Sequence, residues 1–493
     1  MLEWQEDYNR KLTSAEEAAK LVRPGDRVHT GLLPMPRLIA NAIAARREEL
    51  GSLQIVMVEP EYDPGFLLPG WEENFPVTVE IHIGTVAIDA LDEKRIDYSP
   101  VLFSTWFKPY LDPRPEAKPI DIFMCTVSPP DKNGFCSFGA DLWNKKTFTS
   151  LSRTVLVEVN DTYIRTYGEN YIHVSEIDRF VENTPAPMSD QEMERVINEV
   201  EDPDRRKELR KIAFSLEVER RRDFVPQLTT LEVSQMRQWA AFYAGLSDPG
   251  PDVNRMAEYV SELVPDGATI QIGAGTPSTL LPTLGTFDEK HDLGIHSEMA
   301  APGLIDLIEK GIATGKHTTT HPGRIRLSAL TASSIREQKW AHNNPLLELY
   351  ESQEVVSIQN VAAIDGMVSI NNALSIDLSG QINSETVFGG RLVAGTGGQT
   401  ELHMGAVLSR GGRAITLLRS TALSGSVSRI VAQQEEGAVI TIPRTFADTV
   451  VTEYGVAQLL GKSLRERADE LINVTHPDFR SELRKEAQRL LYP

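Results

Sequence analysis

The sequence predicts an α/β protein made of two tandem open α/β domains with mostly parallel sheets. Three observations carry that prediction. Apolar runs of strand length, such as Ile120–Val127, alternate along the chain with segments of helical periodicity, the pattern of a sheet covered by helices. The order of elements then repeats, because "LVRPGDRVHTGLLPMPRLIANAI" and "LVPDGATIQIGAGTPSTLLPTL" share helix, turn, strand, loop and helix at nearly the same spacing. Finally, 493 residues exceed one ordinary core, since a domain takes about 100–200 residues.

Taken in order, Ser14-Ala-Glu-Glu17 is a capping box that opens a helix ending near Val22. Pro24-Gly25-Asp26 turns the chain, Arg27 to Thr30 reads as strand, Gly31 begins a loop, and helical character resumes over 37–44. In the second copy the helix covers 256–264, Pro265-Asp266-Gly267 turns, 268–272 is strand, Gly273-Ala-Gly275 is loop, and a helix starts over 279–284. Further strands are expected at 53–58, 77–83, 120–127, 154–159, 355–357, 367–371, 414–418 and 438–442. Ser463-Leu-Arg-Glu466 caps the first of two C-terminal helices, and 476–491 forms the second.

Between the copies, Ser189-Asp-Gln-Glu192 caps a long helix, and 192–223 is dense in Glu, Arg and Lys, as on a solvated helix face. Arg205-Arg206-Lys207 and Arg220-Arg221-Arg222 fit a salt-bridged surface helix, or else an oligomer contact or the rim of an anionic-ligand site. Pro249-Gly250-Pro251 closes this stretch and is the preferred break in the chain. The domains are taken as 1–226, including a charged helical insertion at about 186–226, and 227–493.

Composition narrows the function. A formal net charge of −20 argues against nucleic acid as a partner, because phosphate backbones require a basic face. No apolar run reaches the roughly 18 residues of a membrane span, and Met1 to Arg10 is not a signal peptide, so a cytoplasmic protein is expected. Cys125 and Cys136 form neither a disulfide framework nor a CxxC site and read as small buried apolar groups. No metal centre is expected. His317 and His321 are four apart but lie in a threonine-rich loop.

One stretch, Asp292-Leu-Gly-Ile-His-Ser-Glu-Met299, sets a lone carboxylate, Glu298, at a strand end just before helical spacing resumes at Leu304, Ile305, Leu307 and Ile308. Strand ends that feed helices are where open α/β sheets place ligands. The residues alone leave two readings of Glu298, a reacting carboxylate or a charge capping the next helix. Gly273-Ala274-Gly275 and Gly395-Thr-Gly397-Gly398-Gln399 are loops whose backbone N–H groups can approach an anion or oxyanion closely, or else tight turns. Neither matches a dinucleotide or Walker fingerprint.

Taken with their neighbours, these stretches resemble the acetyl-CoA hydrolase/transferase family, which includes 4-hydroxybutyrate, butyrate and succinate CoA-transferases. The resemblance rests on Ser128-Pro-Pro-Asp-Lys-Asn-Gly-Phe-Cys-Ser137, Glu158-Val-Asn160, Tyr171-Ile-His-Val-Ser-Glu-Ile-Asp178, Gly294-Ile-His-Ser-Glu-Met299 and Ser369-Ile-Asn-Asn-Ala373. It continues through Gly395 to Gln399, Ser426-Val-Ser-Arg-Ile430, Val450-Val-Thr-Glu-Tyr-Gly-Val-Ala457 and Gly461-Lys-Ser-Leu-Arg-Glu-Arg-Ala468. These run in the family's order from about residue 13 to 490.

The resemblance implies a CoA-transferase fold and chemistry. Glu298 is then the nucleophile, attacking an acyl-CoA thioester to give an acyl-glutamyl anhydride and afterwards a glutamyl-CoA thioester. Backbone N–H groups near Ala274 and at Gly397 and Gly398 are the implied oxyanion donors, and Glu453 an orienting carboxylate. Gly273, Gly275, Gly395, Gln399 and Lys462 are placed at the CoA, with Arg324 and Arg419 as further guesses for its phosphates. His296 is expected to support its strand. Coenzyme A enters as a substrate with a small carboxylic acid, and no permanently bound cofactor is implied. A homodimer or larger assembly is. The same scaffold also accommodates an acyl-CoA hydrolase or a non-catalytic CoA-binding protein.

Three departures from the family are visible. The charged insertion is long, Ser357-Ile-Gln-Asn360 replaces an Asn-Asp-Pro step, and Gly31-Leu-Leu33-Pro-Met-Pro36 and Phe103-Ser-Thr-Trp106-Phe107 are bulky. The last two are expected to narrow or line an apolar acyl pocket.

Overall fold

The computed structural model describes every residue except 1, 185, 230, 232, 234–235, 237–248, 331–332 and 492–493. The chain forms two compact units. One comprises Met1–Ser99, Phe107–Asp248 and Ser334–Asn344, and the other Pro100–Trp106, Pro249–Ser333 and Pro345–Pro493.

The first unit is organised on a seven-stranded sheet of β1 (Arg27–Leu32), β2 (Gln54–Val58), β3 (Val77–Glu80), β4 (Asp97–Ser99), β5 (Ile120–Val127), β6 (Ser152–Val159) and β7 (Arg179–Glu182). Their order is β7-β6-β5-β1-β2-β3-β4, and every neighbouring pair is parallel. Buried strands in such a sheet need apolar side chains on both faces, which is why 120–127 reads as one continuous hydrophobic run. Both cysteines are buried, and burial pushes each thiol up to about 12, so they are packing groups and not reactive thiols.

The charged insertion is not one long helix. It folds as α1 (Asp190–Asn198), α2 (Pro203–Ser215) and α3 (Val218–Leu228). Ser189 caps α1 as expected, but Asp202 accepts hydrogen bonds from the Asp204 and Arg205 N–H groups and Pro203 follows it at the first helical position. That pair stops one helix and starts the next. The three helices share a hydrophobic cluster including Met193, Ile197, Leu209, Ile212, Leu216 and Val225, so the region buries a small core of its own. Of the two basic clusters, the second is paired within the insertion, Arg221 with Asp190, Arg222 with Glu192 and Arg220 with Glu217, in agreement with the salt-bridged helix, while Arg205 of the first donates to Thr229 O at 2.6 Å. Helix α3 runs through the expected 226/227 boundary.

The second unit carries a six-stranded sheet of β8 (Thr269–Ile272), β9 (Gly294–Ile295), β10 (Met367–Asn372), β11 (Arg413–Leu417), β12 (Thr449–Thr452) and β13 (Gly455–Gln458). The order is β9-β8-β10-β11-β12-β13, parallel except for the final β12–β13 hairpin. The repeated grammar is visible in the fold. Gly25 (φ +82°) and Gly267 (φ +74°) turn the chain with positive φ into β1 and β8, and each of those strands has a parallel neighbour on both sides.

Three expectations need correction. Residues 279–284 belong to a 3₁₀ helix, Ser278–Leu284, not an α-helix, with Pro282 inside it and so one backbone donor fewer. Residues 355–357 link two short helices, Ser352–Val355 and Ile358–Ala362, and 438–442 is a loop touching Ile382 through the single bridge at Ile442. In both places the short apolar runs lack helical periodicity and read as strands, but Val355 and Val356 are buried at a helix junction, while Val439 stays exposed. The C-terminal helices are Leu464–Asn473, with the Ser463–Glu466 capping box, and Pro477–Leu491. Among the described residues, no helix is long and apolar enough to cross a membrane.

Candidate active site

Because β8 to β12 are parallel, their C-terminal ends share one edge of the second sheet, where a doubly wound fold places its ligand. β9 runs on into His296 to Met299, β8 into Gly273 to Gly275, β11 into Arg419 and Ser420, and β12 into Glu453, while β10 ends at Asn372. This edge gathers most of the residues singled out from the sequence.

Glu298 is half-buried, and its backbone is fixed from the neighbouring strand. Its carbonyl accepts from the Ser328 N–H at 2.9 Å and the Ala329 N–H at 3.1 Å, and the Ser297 N–H donates to Arg326 O at 3.1 Å. His296 is buried and donates from Nε2 to Val355 O at 2.6 Å. Burial pushes its pKa down to about 4, so the ring is a neutral support, as expected.

The helix that follows Glu298 begins at Leu304. The Glu298 carboxylate lies against Gly398, where a Cβ would come 1.8 Å from Oε2 and 2.9 Å from Cδ. Gly398 is the N-cap of α4 (Gln399–Leu408), so the carboxylate sits at the start of a ten-residue helix, beside the end whose N–H groups lack intrahelical partners. Gly397, at φ +51°, makes the turn into that helix.

Asn372 joins the two glycine loops. Its Nδ2 donates to Ala274 O at 2.8 Å and to Ser278 Oγ at 2.7 Å, and its Oδ1 accepts from the Ser278 N–H at 3.0 Å. Its carbonyl accepts from Gln399 Nε2 at 3.0 Å, which ties the Gly273–Gly275 loop to the first residue of α4. Beneath it, Gln271, Ser369 and Asn371 form a buried side-chain network across β8 and β10, and a Cβ on Gly273 would come 2.3 Å from Asn371 Oδ1. The structure thus brings Glu298, Gly397, Gly398 and Gln399 together and links them through Asn372 to Gly273, Ala274 and Gly275. Gly395 is buried on the approach to α4.

Glu453 lies on the same edge but is engaged by Ser420, whose N–H donates to Oε2 at 2.9 Å and whose Oγ donates to Oε1 at 2.5 Å. Lys462 is not brought to this edge. It follows antiparallel β13, whose last residue pairs with Thr449 at the start of β12, and it is ion-paired with Glu470 at the opposite end of the sheet. Asn360 bonds Glu354, through its carbonyl at 2.7 Å and its Oε2 at 3.2 Å. Trp106 is wholly buried edge-on against Phe103, so it belongs to the core and does not line a pocket. Leu33 is half-buried, with its carbonyl accepting from Lys145 Nζ at 2.6 Å.

Sequence reasoning passed over Glu401, in the first turn of α4. It is completely buried, and its carboxylate lies 3.3 Å from the Ser104 N–H. Burial pushes its pKa up from 4.5 to about 7. The folded chain therefore keeps a proton that the unfolded chain releases above about pH 4.5. Its contribution to stability is fully present below that pH and is lost as pH rises through about 7. Glu401→Gln, which stays neutral, is expected to gain roughly 1–3 kcal/mol over the parent between pH 5 and pH 8. Urea denaturation at the two pH values measures this, and an offset that does not change with pH would contradict it.

A carboxylate seated at a helix start on the ligand edge of a parallel α/β sheet, beside glycine loops, suits an acyl-transfer enzyme, and the comparisons give its class as that of the CoA-transferases. Residues 1–189 match the N-terminal domain and residues 336–487 the C-terminal domain of acetyl-CoA hydrolase/transferase. The chain is 32% identical over 490 residues to the 4-hydroxybutyrate coenzyme A transferase of Clostridium kluyveri, covering 99% of this chain and 100% of that protein. Among solved structures it resembles RipA from Yersinia pestis, with a TM-score of 0.79 and 27% identity over the whole of both chains. It also resembles the 4-hydroxybutyrate CoA-transferase from Porphyromonas gingivalis, with a TM-score of 0.69 and 26% identity over 99% of this chain and 100% of that one. The chain belongs to the acetyl-CoA hydrolase/transferase family.

Proposed function

We propose that the enzyme moves CoA from an acyl-CoA to a free small carboxylic acid by ping-pong chemistry on Glu298. The Glu298 carboxylate attacks the thioester carbonyl, the C–S bond breaks, and CoA thiolate leaves behind an acyl-glutamyl anhydride. The thiolate then attacks the glutamyl carbonyl, forming the Glu298–CoA thioester and releasing the first carboxylate. An acceptor carboxylate runs the two steps in reverse. One thioester replaces another of similar energy, so the exchange needs no other energy source.

The observation that carries this reading is the contact of the Glu298 carboxylate with Gly398 at the start of α4. A carboxylate is a weak nucleophile in water, so positioning and preorganised N–H donors must supply the rate. In this reading the Gly397 and Gly398 N–H groups and that of Ala274 stabilise the oxyanion, and Gly273, Gly275, Gly395 and Gln399 border the CoA. Losing one such donor costs about 3–4 kcal/mol of transition-state stabilisation.

The test is mass spectrometry after incubation with acetyl-, succinyl- or butyryl-CoA and then borohydride, which reduces a glutamyl thioester to the alcohol. A reduced Glu298 is expected with at least one donor. Loss of acyl-CoA without a reduced Glu298, at a rate independent of added carboxylate, would replace the reading with hydrolysis.

A further inference from the structure

The ligand edge of the second sheet holds a cation that neither the sequence reading nor the proposed chemistry uses. Arg429 follows a short hairpin of Thr421–Ala422 and Val427–Ser428, and it is fixed by its own N–H donating to Ser420 O at 2.9 Å. Among the described residues, its guanidinium has one acceptor, Ala373 O, at 3.5 Å from Nη1, the outer limit of a hydrogen bond. A guanidinium carries five donors in a planar fork suited to carboxylate or phosphate oxygens. Glu453, the neighbouring carboxylate, already has both oxygens engaged by Ser420.

The other cations weighed for the CoA phosphates are placed differently. Lys462 is paired with Glu470, and Arg324 donates to Pro345 O at 2.6 Å and lies 3.6 Å from Glu348. Arg419 is on the right edge, exposed, and donates to Pro249 O at 3.0 Å. Burial first, and the Arg419 charge second, push the pKa of Arg429 below its usual value, against the pull of Glu453.

We propose that Arg429, with Arg419 beside it, forms an anion site that takes the charged part of a substrate, either a CoA phosphate or the far carboxylate of a dicarboxylic acid. Its place follows from Asn372 and Ala373. Asn372 holds Gln399 and the Gly273–Gly275 loop, and the next carbonyl along the chain is the one Arg429 touches. The inference rests on the assignment of the reaction to this edge.

The experiment is a set of dissociation constants for the full-length parent, Arg429→Gln, Arg429→Lys and Arg419→Gln. The ligands are CoA, dephospho-CoA, pantetheine, and a mono- and a dicarboxylate of equal length. Arg429→Gln is expected to weaken one anionic ligand at least 10-fold, with part of the loss regained in Arg429→Lys. Weaker CoA with unchanged pantetheine identifies a phosphate. Weaker dicarboxylate with unchanged monocarboxylate identifies the second carboxylate. Constants that stay within 2-fold for every ligand, or that weaken alike for pantetheine and monocarboxylate, overturn the site. A parent enzyme with no borohydride-reduced Glu298 overturns the covalent mechanism instead, and it does so without touching these binding constants.

Discussion

Glu298→Ala is expected to lower the rate of CoA transfer by roughly 10⁴-fold or more while leaving the dissociation constant for CoA near that of the parent. Removing the nucleophile of a covalent mechanism takes away the whole two-step route, and what remains is the rate that oriented binding alone provides. The fold should tolerate the change. Glu298 is held in place through its backbone, by the bonds from Ser328 and Ala329, and alanine keeps those. Its side chain is half-buried at an edge, so truncation opens no core cavity. Glu298→Gln makes the sharper comparison, because it preserves the shape against Gly398 and removes only the nucleophilic oxygen. Steady-state kinetics with a fixed acyl-CoA and varied carboxylate measure both variants. Turnover by either variant equal to the parent would place the reaction elsewhere on the chain.

How much of this was legible in the sequence depends on the range over which each signal acts. The strands at 120–127 and 367–371 are announced by their own side chains, and the capping boxes at Ser189 and Ser463 by residues three apart. Glu298 stood out as a lone carboxylate at a strand end, but its reacting role came from the resemblance carried by Gly294-Ile-His-Ser-Glu-Met299. Its partner did not stand out. The contact with Gly398 joins residues a hundred apart, and nothing near 298 in the sequence says which helix start it will meet. Asn372 and Arg429 lay inside the quoted motifs Ser369 to Ala373 and Ser426 to Ile430, but neither carries a role until β10 brings Asn372 to the common edge and the short hairpin sets Arg429 against Ala373. Glu401 was hidden for a related reason, since its hydrogen-bond partners at residues 103 and 104 lie far away in the chain. The break at Asp202-Pro203 could have been read from the sequence. A capping aspartate followed by proline is a start signal, and density of charge is a poor guide to helix length.

Gly398→Ala is expected to reduce kcat/KM at least about 100-fold with little change in thermal stability. Gly398 has φ −81° and ψ −4°, which alanine adopts without strain, so the backbone does not demand glycine there. The demand comes from space. The new methyl would lie 1.8 Å from Glu298 Oε2 and 3.1 Å from Leu402 Cδ1, and the carboxylate or the start of α4 must retreat by on the order of 1 Å, a misplacement that costs about 10²-fold in a positioned reaction. Gly397→Ala provides the contrast. At φ +51° its cost is backbone strain of about 1–2 kcal/mol, which lowers the melting temperature as well as the rate. A double-mutant cycle then separates contact from conformation. If the methyl acts by displacing the nucleophile, adding Gly398→Ala to Glu298→Ala costs nothing further, because the oxygen it would strike is gone. If both losses multiply instead, Gly398 serves α4 or the substrate and not the position of Glu298.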